Sequence, residues 1–206
     1  LSDLNSAGFI VGAVTKKETA KNPLPPFTPS TLQQVANRWL GFSAKQTMAV
    51  AQKLYEEGLI TYMRTDSLNL SETFLDASKK YLTENLGERY ALKTPRKFKT
   101  KSKGAQEAHE AIRPTDPFKN PENINLDDKN KHRLYKLIWQ RTLASQMPPA
   151  AVDNTAIDID APLRQGFGGQ AKNNKYQFRA TGQTIKFDGF LKLYPEKGKE
   201  IILPEV

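Results

Sequence analysis

Tyr62 and Arg64 are the two residues of this sequence whose types and spacing best suit chemistry. The stretch Leu59–Thr65 is predicted to be extended, and Tyr62 and Arg64 would then share one face with Ile60, because strand side chains alternate. A phenol with an ordinary pKa of about 10 attacks poorly at neutral pH without help. A guanidinium beside it fits two oxygens of a phosphodiester and would stabilise the charge that builds up during attack on phosphorus. The same spacing also occurs where a tyrosine only packs, so the pair alone leaves both interpretations open.

His109 is a second candidate group, placed between Glu107 and Glu110 and four residues before Arg113. On a helical turn His109 and Arg113 would face the same way. A protonated imidazole would then form a cationic pocket wall with the guanidinium. A histidine between two glutamates is otherwise more often a plain surface residue, so this alternative also stays open.

Three stretches of the sequence carry a resemblance to a known family. They read ITYMRTDS at 60–67, PFTPSTLQQ at 26–34 and QEAHEAIRP at 106–114. The first closely resembles the active-site signature of type IA DNA topoisomerases, and its Met63 is typical of the bacterial DNA topoisomerase I branch. The other two resemble further motifs of that family and stand in the expected order. The resemblance covers nearly the whole chain, apart from the stretch around 162–174.

The resemblance implies a mechanism. Tyr62 would attack a phosphodiester of single-stranded DNA, leaving a 5′-phosphotyrosyl link and a free 3′-hydroxyl, so that a strand passes, the ends reseal and negative supercoils relax. Arg64 would hold the reacting phosphate, and His109 would assist. The resemblance places further residues at the site, namely Gln52, Glu56, Thr61, Thr65, Asp66 and Arg113. Positioning roles are expected for Thr65 and Asp66. For Asp66, a hydrogen bond with Arg64 is an equally good interpretation.

The elements that must position these residues follow from hydrophobic periodicity and from start and stop signals. Gly58 marks the end of the helix that precedes Tyr62. Four helices are predicted, beginning at Thr28, Ser43, Asn69 or Ser71, and Asp127, and ending near Gly41, Glu57, Gly87 and Met147. The predicted strands are Gly8–Lys17, Val152–Ile159, Lys175–Thr181, Thr184–Phe187, Phe190–Tyr194 and Glu200–Leu203.

This order of elements predicts an α+β fold with two domains. A helical domain at 28–147, carrying Tyr62, would be inserted into an antiparallel β gate domain formed by residues 1–27 and 148–206. Two short helices joined at Gly41 and followed by a wing-like strand suggest a winged-helix arrangement. The resemblance implies the same layout, since type IA enzymes have a CAP-like helical domain on a β gate. The glycine-rich stretch 161–174 is predicted to be an inserted, disordered loop whose role the sequence does not assign.

Composition points to a polyanionic partner. The 206 residues carry a formal net charge of +9, with a pI near 9.6, and seven of the basic residues fall between Arg89 and Lys103. Lysine and arginine that neutralise phosphates release condensed counterions, so single-stranded DNA is the expected partner. A generically basic protein with a solvated, flexible loop is the plain alternative.

Several other classes are disfavoured. The absence of cysteine excludes disulfides and thiolate metal sites, and two histidines do not suffice for a zinc cluster. No apolar run approaches the roughly 20 residues of a membrane span, so no membrane partner is expected. No leader is visible, so a cytoplasmic location is predicted.

The acidic residues are scattered, and we expect no Mg²⁺ site in this chain. The family binds Mg²⁺ in an acidic Toprim domain, which would precede a segment of this kind, and a further C-terminal region would complete the DNA-binding ring. The chain is therefore expected to be a central fragment whose partners are those missing domains and single-stranded DNA, and which binds DNA without relaxing it. Two alternatives remain, a non-catalytic single-stranded DNA-binding module and a protein-interaction or structural domain.

Overall fold

The computed structural model describes residue 4 and residues 8–98, 109–162 and 175–195. The chain divides into two compact units. Unit 1 comprises Leu1–Lys21, Ala150–Asp188 and Lys197–Val206, and unit 2 comprises Asn22–Pro149 and Gly189–Glu196. The fold class of the chain is α+β, with a three-stranded antiparallel sheet and four α-helices in the described residues.

Unit 1 contains the sheet. Its strands are β1, Ile10–Lys21, β2, Ala150–Pro162, and β3, Lys175–Phe187, in the order β1-β2-β3 with both pairs antiparallel. β2 is the central strand, and a bulge interrupts its register with β1 between Val11 and Ala13. An ion pair joins Arg179 of β3 to Asp158 of β2. Lys186 of β3 pairs both with Asp153 of β2 and with Glu18 of the far strand β1.

The strands β1, β2 and β3 were predicted, but their bounds differ from the prediction. β1 runs four residues further than predicted, and the two strands predicted on either side of residue 182 form one continuous β3. The predicted strand Phe190–Tyr194 is wrong, because Gly189–Lys192 forms a 3₁₀ helix. Both Phe190 and Tyr194 are buried in unit 2, so their four-residue spacing reflects a helical turn rather than alternation. The predicted strand Glu200–Leu203 and positions 163–174 of the predicted loop lie outside the described residues.

Unit 2 holds the helices α1, Pro29–Leu40, α2, Ala44–Glu56, α3, Glu72–Leu86, and α4, Lys129–Ser145. The caps explain their starts. Thr28 and Thr31 form a capping box at α1, and Ser43 accepts a hydrogen bond from the backbone of Gln46 at α2. α4 is capped by Asp128, one residue later than predicted, through the backbone N–H of Asn130.

The core of unit 2 is apolar and draws on every helix. Tyr135 and Trp139 of α4 are buried, and each ring satisfies its polar atom with a backbone carbonyl, that of Lys119 at 2.7 Å and that of Pro117 at 2.9 Å. The largest fully buried side chains of this unit are Phe27, Leu32, Leu54, Ile60, Met63, Leu82, Ile112, Leu134, Tyr135, Ile138, Leu143 and Met147.

The basic run that begins at Arg89 is only partly a solvated loop. The Arg96 guanidinium donates to the carbonyls of Ser145 at 2.7 Å and Met147 at 2.9 Å, where α4 ends. These carbonyls have no partner within the helix, so Arg96 serves as a C-terminal cap. Lys97 is bound to Glu72 at 2.7 Å. Residues 91–98 form the predicted loop, with Arg96 and Lys97 held by these contacts, and the rest of the run lies beyond the described residues.

The acidic residues were predicted to be scattered, but two of them form a pair on β2. Asp158 and Asp160 form an Asp-x-Asp pair near the end of β2, on the same side of the strand. Arg179 holds Asp158 through two hydrogen bonds, and Gln177 donates to Asp160 at 3.2 Å. In the described parts of the chain, no group of three or more His, Cys, Asp or Glu side chains is arranged to hold a metal ion. None of the described helices combines the length and hydropathy needed to cross a membrane.

Candidate active site

The turn that leads to Tyr62 begins at the end of α2. The N–H of Gly58 bonds to the carbonyl of Tyr55 and the N–H of Leu59 bonds to the carbonyl of Leu54, each at 2.9 Å. This pattern is a Schellman motif, and Gly58 supplies the positive φ it requires, +68°. The helix stop predicted at Gly58 is confirmed, and the motif turns the chain sharply toward Tyr62.

Tyr62 and Arg64 point away from the core, while the residues between and after them point into it. Tyr62 is 45% exposed and Arg64 is exposed, whereas Met63 and Thr65 are 1% and 6% exposed. The shared face predicted for Ile60 with this pair is wrong, because Ile60 is buried. The predicted strand Leu59–Thr65 is also wrong, since only a single bridge at Ile60 forms. Tyr62 and Arg64 are therefore presented by buried neighbours rather than by a wing-like strand.

A second segment, residues 110–115, ties the three motif stretches together. Thr61, next to Tyr62, accepts from the backbone N–H of Arg113 at 3.0 Å and donates from its hydroxyl to the carbonyl of Ala111 at 2.6 Å. Ile60 bridges Pro114, and Phe27 bridges Ile112. Residues from all three motifs thus meet at this segment, although they lie far apart in sequence.

Arg113 is turned inward instead of lining an open pocket wall. It is 9% exposed, pairs with Glu110 at 2.5 Å and lies over the ring of Phe74 at 4.3 Å. The helical turn considered for His109 and Arg113 is wrong, because segment 110–115 is extended and bonded to Phe27 and Thr61. His109 is exposed just before this segment and has no hydrogen bond or ion pair with a described residue. Its neighbours Gln106–Ala108 lie outside the described residues.

Glu110 links this segment to the start of α3. One carboxylate oxygen accepts from the backbone N–H of Ser71, the N-cap residue of α3, at 2.5 Å. Ser71 itself makes no side-chain cap, so Glu110 supplies the acceptor at this helix start. Burial alone would raise the pKa of Glu110, but hydrogen bonds and charge from Arg113, with hydrogen bonds from Ser71, hold that pKa below its ordinary value. The carboxylate is therefore held in its charged form.

The other predicted site residues lie at the end of α2 and in the stretch after Tyr62. Gln52 donates to Glu56 at 2.8 Å, one helical turn apart. Thr65 is buried, and its hydroxyl accepts from the backbone N–H of Ser67 at 3.1 Å, whereas Asp66 is exposed. None of these contacts tests a role in catalysis, so those roles remain predictions.

Tyr55 is a neighbour of Tyr62 that was not predicted from the sequence. Its ring lies against that of Tyr62, with centroids 5.3 Å apart and planes tilted by 63°. Tyr55 lies in the last turn of α2 and is 40% exposed. Its position seven residues before Tyr62, across a glycine helix stop, was the signal that could have found it.

Comparison with known proteins places this chain among DNA topoisomerases. The sequence profile of the family described as DNA topoisomerase matches residues 1–206. DNA topoisomerase 1 of Zymomonas mobilis subsp. mobilis is 47% identical over 199 residues, covering 97% of this chain and 15% of that protein. DNA topoisomerase 1 of Xylella fastidiosa is 45% identical over 197 residues, covering 91% of this chain and 23% of that protein.

A solved structure has a similar fold. Full-length topoisomerase I from Thermotoga maritima, in a monoclinic crystal form, superposes with a TM-score of 0.75 and 35% sequence identity. The match covers 96% of this chain and 31% of that one. This chain thus spans between 15% and 23% of the length of the two curated relatives.

Proposed function

Because this chain belongs to the bacterial DNA topoisomerase I family of type IA enzymes, we propose that Tyr62 is the nucleophile that cleaves a single DNA strand. The observation that carries the proposal is the presentation of Tyr62 and Arg64. Both side chains are exposed, and buried Met63 and Thr65 fix the backbone between and beyond them. A phenol and a guanidinium held in this way are available to a phosphodiester from outside the chain.

The proposed step is a transesterification. The Tyr62 oxygen bonds to phosphorus and loses its proton, the bond from phosphorus to the 3′-oxygen breaks, and that oxygen leaves as a hydroxyl after gaining a proton. The enzyme is then linked to the 5′-phosphate, and the reverse reaction reseals the strand. Arg64 binds the non-bridging oxygens, whose charge grows in the transition state. The proposal keeps His109 as an assisting group near that phosphate.

The remaining predicted residues receive supporting roles. Thr61 fixes the backbone next to Tyr62 through Ala111 and Arg113, and Arg113 is locked to Glu110. The proposal gives Gln52, Glu56, Thr65 and Asp66 positions around the bound strand, without a step in the chemistry.

The proposed setting is a longer protein. Unit 1 is proposed to act as the β gate, and unit 2 as the CAP-like domain that carries the tyrosine. The described residues do not fit a Mg²⁺ site, and no step of the mechanism passes through the ion. We place its ligands in a Toprim domain of the longer protein, so this chain alone is expected to bind single-stranded DNA without relaxing supercoiled DNA.

The test is covalent trapping with the full-length protein that contains this chain. A single-stranded oligonucleotide labelled at its 3′ end should become attached to the protein, because the downstream piece carries the phosphate. The same oligonucleotide labelled at its 5′ end should yield a shorter free product. A Tyr62→Phe variant should give neither product while binding the strand with unchanged affinity.

Three results would contradict the proposal. Adduct formation by the Tyr62→Phe protein would exclude Tyr62 as the nucleophile. Attachment of the 5′ label would reverse the proposed polarity. Strand binding without any adduct in the wild-type protein would favour the alternative of a non-catalytic single-stranded DNA-binding module.

A further inference from the structure

Among the described residues, the Tyr62 side chain has one aromatic, hydrogen-bonding or ionic partner, the ring of Tyr55. The ring centroids are 5.3 Å apart and the planes are inclined by 63°, which is an edge-to-face arrangement. The phenol of Tyr62 has no hydrogen bond or ion pair with any residue that the structure describes. The contact with Tyr55 is therefore the directional interaction of the Tyr62 ring within the described structure.

Both rings are attached to well-fixed backbone. Tyr55 lies in the last turn of α2, and its carbonyl accepts the N–H of Gly58 in the helix-ending motif. Tyr62 follows Thr61, whose backbone N–H bonds to the carbonyl of Arg113 at 2.9 Å. Since both backbones are held, the ring contact limits the rotation of the Tyr62 side chain.

The orientation of a nucleophile matters because attack requires it in line with the bond that breaks. A ring that rotates freely spends much of its time outside that geometry, and small misplacements are costly in rate. Edge-to-face aromatic pairs favour particular arrangements over others. A neighbouring ring can thus raise the fraction of time in which the phenol oxygen faces the phosphate.

From these contacts we propose that Tyr55 is a positioning residue that holds the Tyr62 phenol in the orientation for attack on the DNA phosphate. The proposal rests on the proposed function of Tyr62 as nucleophile. It assigns the role to the ring of Tyr55 and not to its hydroxyl, which has no hydrogen bond in the described structure. Tyr55 is expected to act on the rate of attack and to leave strand affinity unchanged.

The test measures adduct formation by the full-length protein against concentration of a 3′-labelled single strand. Tyr55→Ala is expected to lower the rate at saturating strand by about two- to twelvefold, the range set by a typical aromatic pair. The half-saturating strand concentration is expected to stay the same. Tyr55→Phe keeps the ring and should restore the wild-type rate.

Two controls accompany these variants. Tyr176→Ala removes a similarly exposed tyrosine, 44% exposed, from β3 of unit 1 and should leave the rate unchanged. Tyr62→Phe should abolish the adduct, so an adduct from that variant would indicate failure of the proposed function and not of the role of Tyr55. If Tyr55→Ala lowers the melting temperature markedly, Tyr55→Leu keeps the bulk without the aromatic edge, and the same loss of rate is expected.

Three results would overturn the proposal. An unchanged rate at saturation in Tyr55→Ala would show that Tyr62 orients without the neighbouring ring. A raised half-saturating concentration with an unchanged maximal rate would indicate that Tyr55 stacks on a base of the strand. A loss in Tyr55→Phe as large as that in Tyr55→Ala would assign the effect to the hydroxyl.

Discussion

Arg64 is an exposed charge, and the proposed function assigns it to a DNA phosphate. Its guanidinium has no ion pair with a described carboxylate, whereas Arg113, Arg179 and Lys131 are each bound to acids. An exposed arginine without an ion pair in the described structure contributes little to folding, so a loss of rate on its removal would report on the proposed contact with the phosphate. This separates the role proposed for Arg64 from the structural role of Arg113.

We therefore predict that Arg64→Ala lowers the rate of strand cleavage by about 10²–10³, the typical effect of losing one donor to a developing charge. Arg64→Lys should recover part of the rate, because it keeps the charge but loses the planar fork. The free energy of unfolding should change by no more than about 0.5 kcal/mol in either variant. Adduct kinetics and urea unfolding measure the two effects.

Lys16→Ala serves as the control for net charge, since Lys16 is exposed on β1 and has no ion pair with a described residue. It should cleave at the wild-type rate. An equal loss of rate in Lys16→Ala and Arg64→Ala would reduce the role of Arg64 to general attraction of the strand.

What the sequence predicts about the site differs from residue to residue. Tyr62 and Arg64 follow from their types and from a family motif, and both prove to be exposed. The contact with Tyr55 depends on how tightly the chain turns at Gly58, which periodicity does not give. The burial of Arg113 depends on Glu110 and on the ring of Phe74, a contact between distant segments.

The elements differ in how far their structure depends on residues that are close in sequence. The helices follow from nearby caps, such as Thr28 and Ser43, and were predicted to within two residues. The stretch after Gly58 was predicted to be extended because the helix ends there, but an extended stretch becomes a strand only where a partner strand pairs with it. Segment 110–115 pairs with the stretch after Gly58 only as far as Thr61, so the residues from Tyr62 to Thr65 stay irregular.

Glu110 gives a prediction at this scale. Its carboxylate joins segment 110–115 to α3, and its pKa lies below the ordinary 4.5. A depressed carboxyl pKa stabilises the fold above the pKa of the unfolded chain, and that contribution is lost as pH falls through the folded value. Wild-type stability should therefore fall on acidification below about pH 4.5.

Glu110→Gln should be less stable than wild type at pH 7, and the difference should shrink as pH falls, as measured by urea unfolding. Glu122→Gln is the matched control, because Glu122 pairs with Lys136 at 2.6 Å on an exposed surface. Exposed pairs contribute little, so this control should stay close to wild type at every pH. A Glu110→Gln difference that is constant with pH would contradict a role for the ionised carboxylate.

The whole molecule combines an excess of positive charge with two compact units built from interleaved parts of the chain. The sequence predicted divisions after residues 27 and 147, whereas the chain passes from one unit to the other after Lys21, after Pro149 and again after Asp188. The short return of residues 189–196 to unit 2 was not predicted, since it depends on Tyr194 stacking on Trp39 at 4.7 Å. The roles of the units as gate and catalytic domain remain proposals.

At this scale we predict that the chain binds a single-stranded oligonucleotide with an affinity that falls steeply with salt, in keeping with its net charge of +9. Each phosphate contact contributes about 0.7 to the slope of log affinity against log salt. A protein with both Arg64→Ala and His109→Ala should bind more weakly and with a smaller slope. Fluorescence anisotropy across a salt series measures both quantities.

Equal slopes for the two proteins would mean that the site face does not contact phosphates in this chain. No binding even at low salt would contradict the prediction and assign recognition to the longer protein.

The burial of Met63 between Tyr62 and Arg64 has a chemical consequence. Oxidation of a thioether to a sulfoxide replaces an apolar side chain with a polar, chiral one. At 1% exposure, Met63 is shielded from oxidants while the stretch stays closed. Once oxidised, it would no longer suit the core, and the two side chains that it holds outward would lose their common anchor. Oxidation of this one sulfur would thus displace the proposed nucleophile without modifying it.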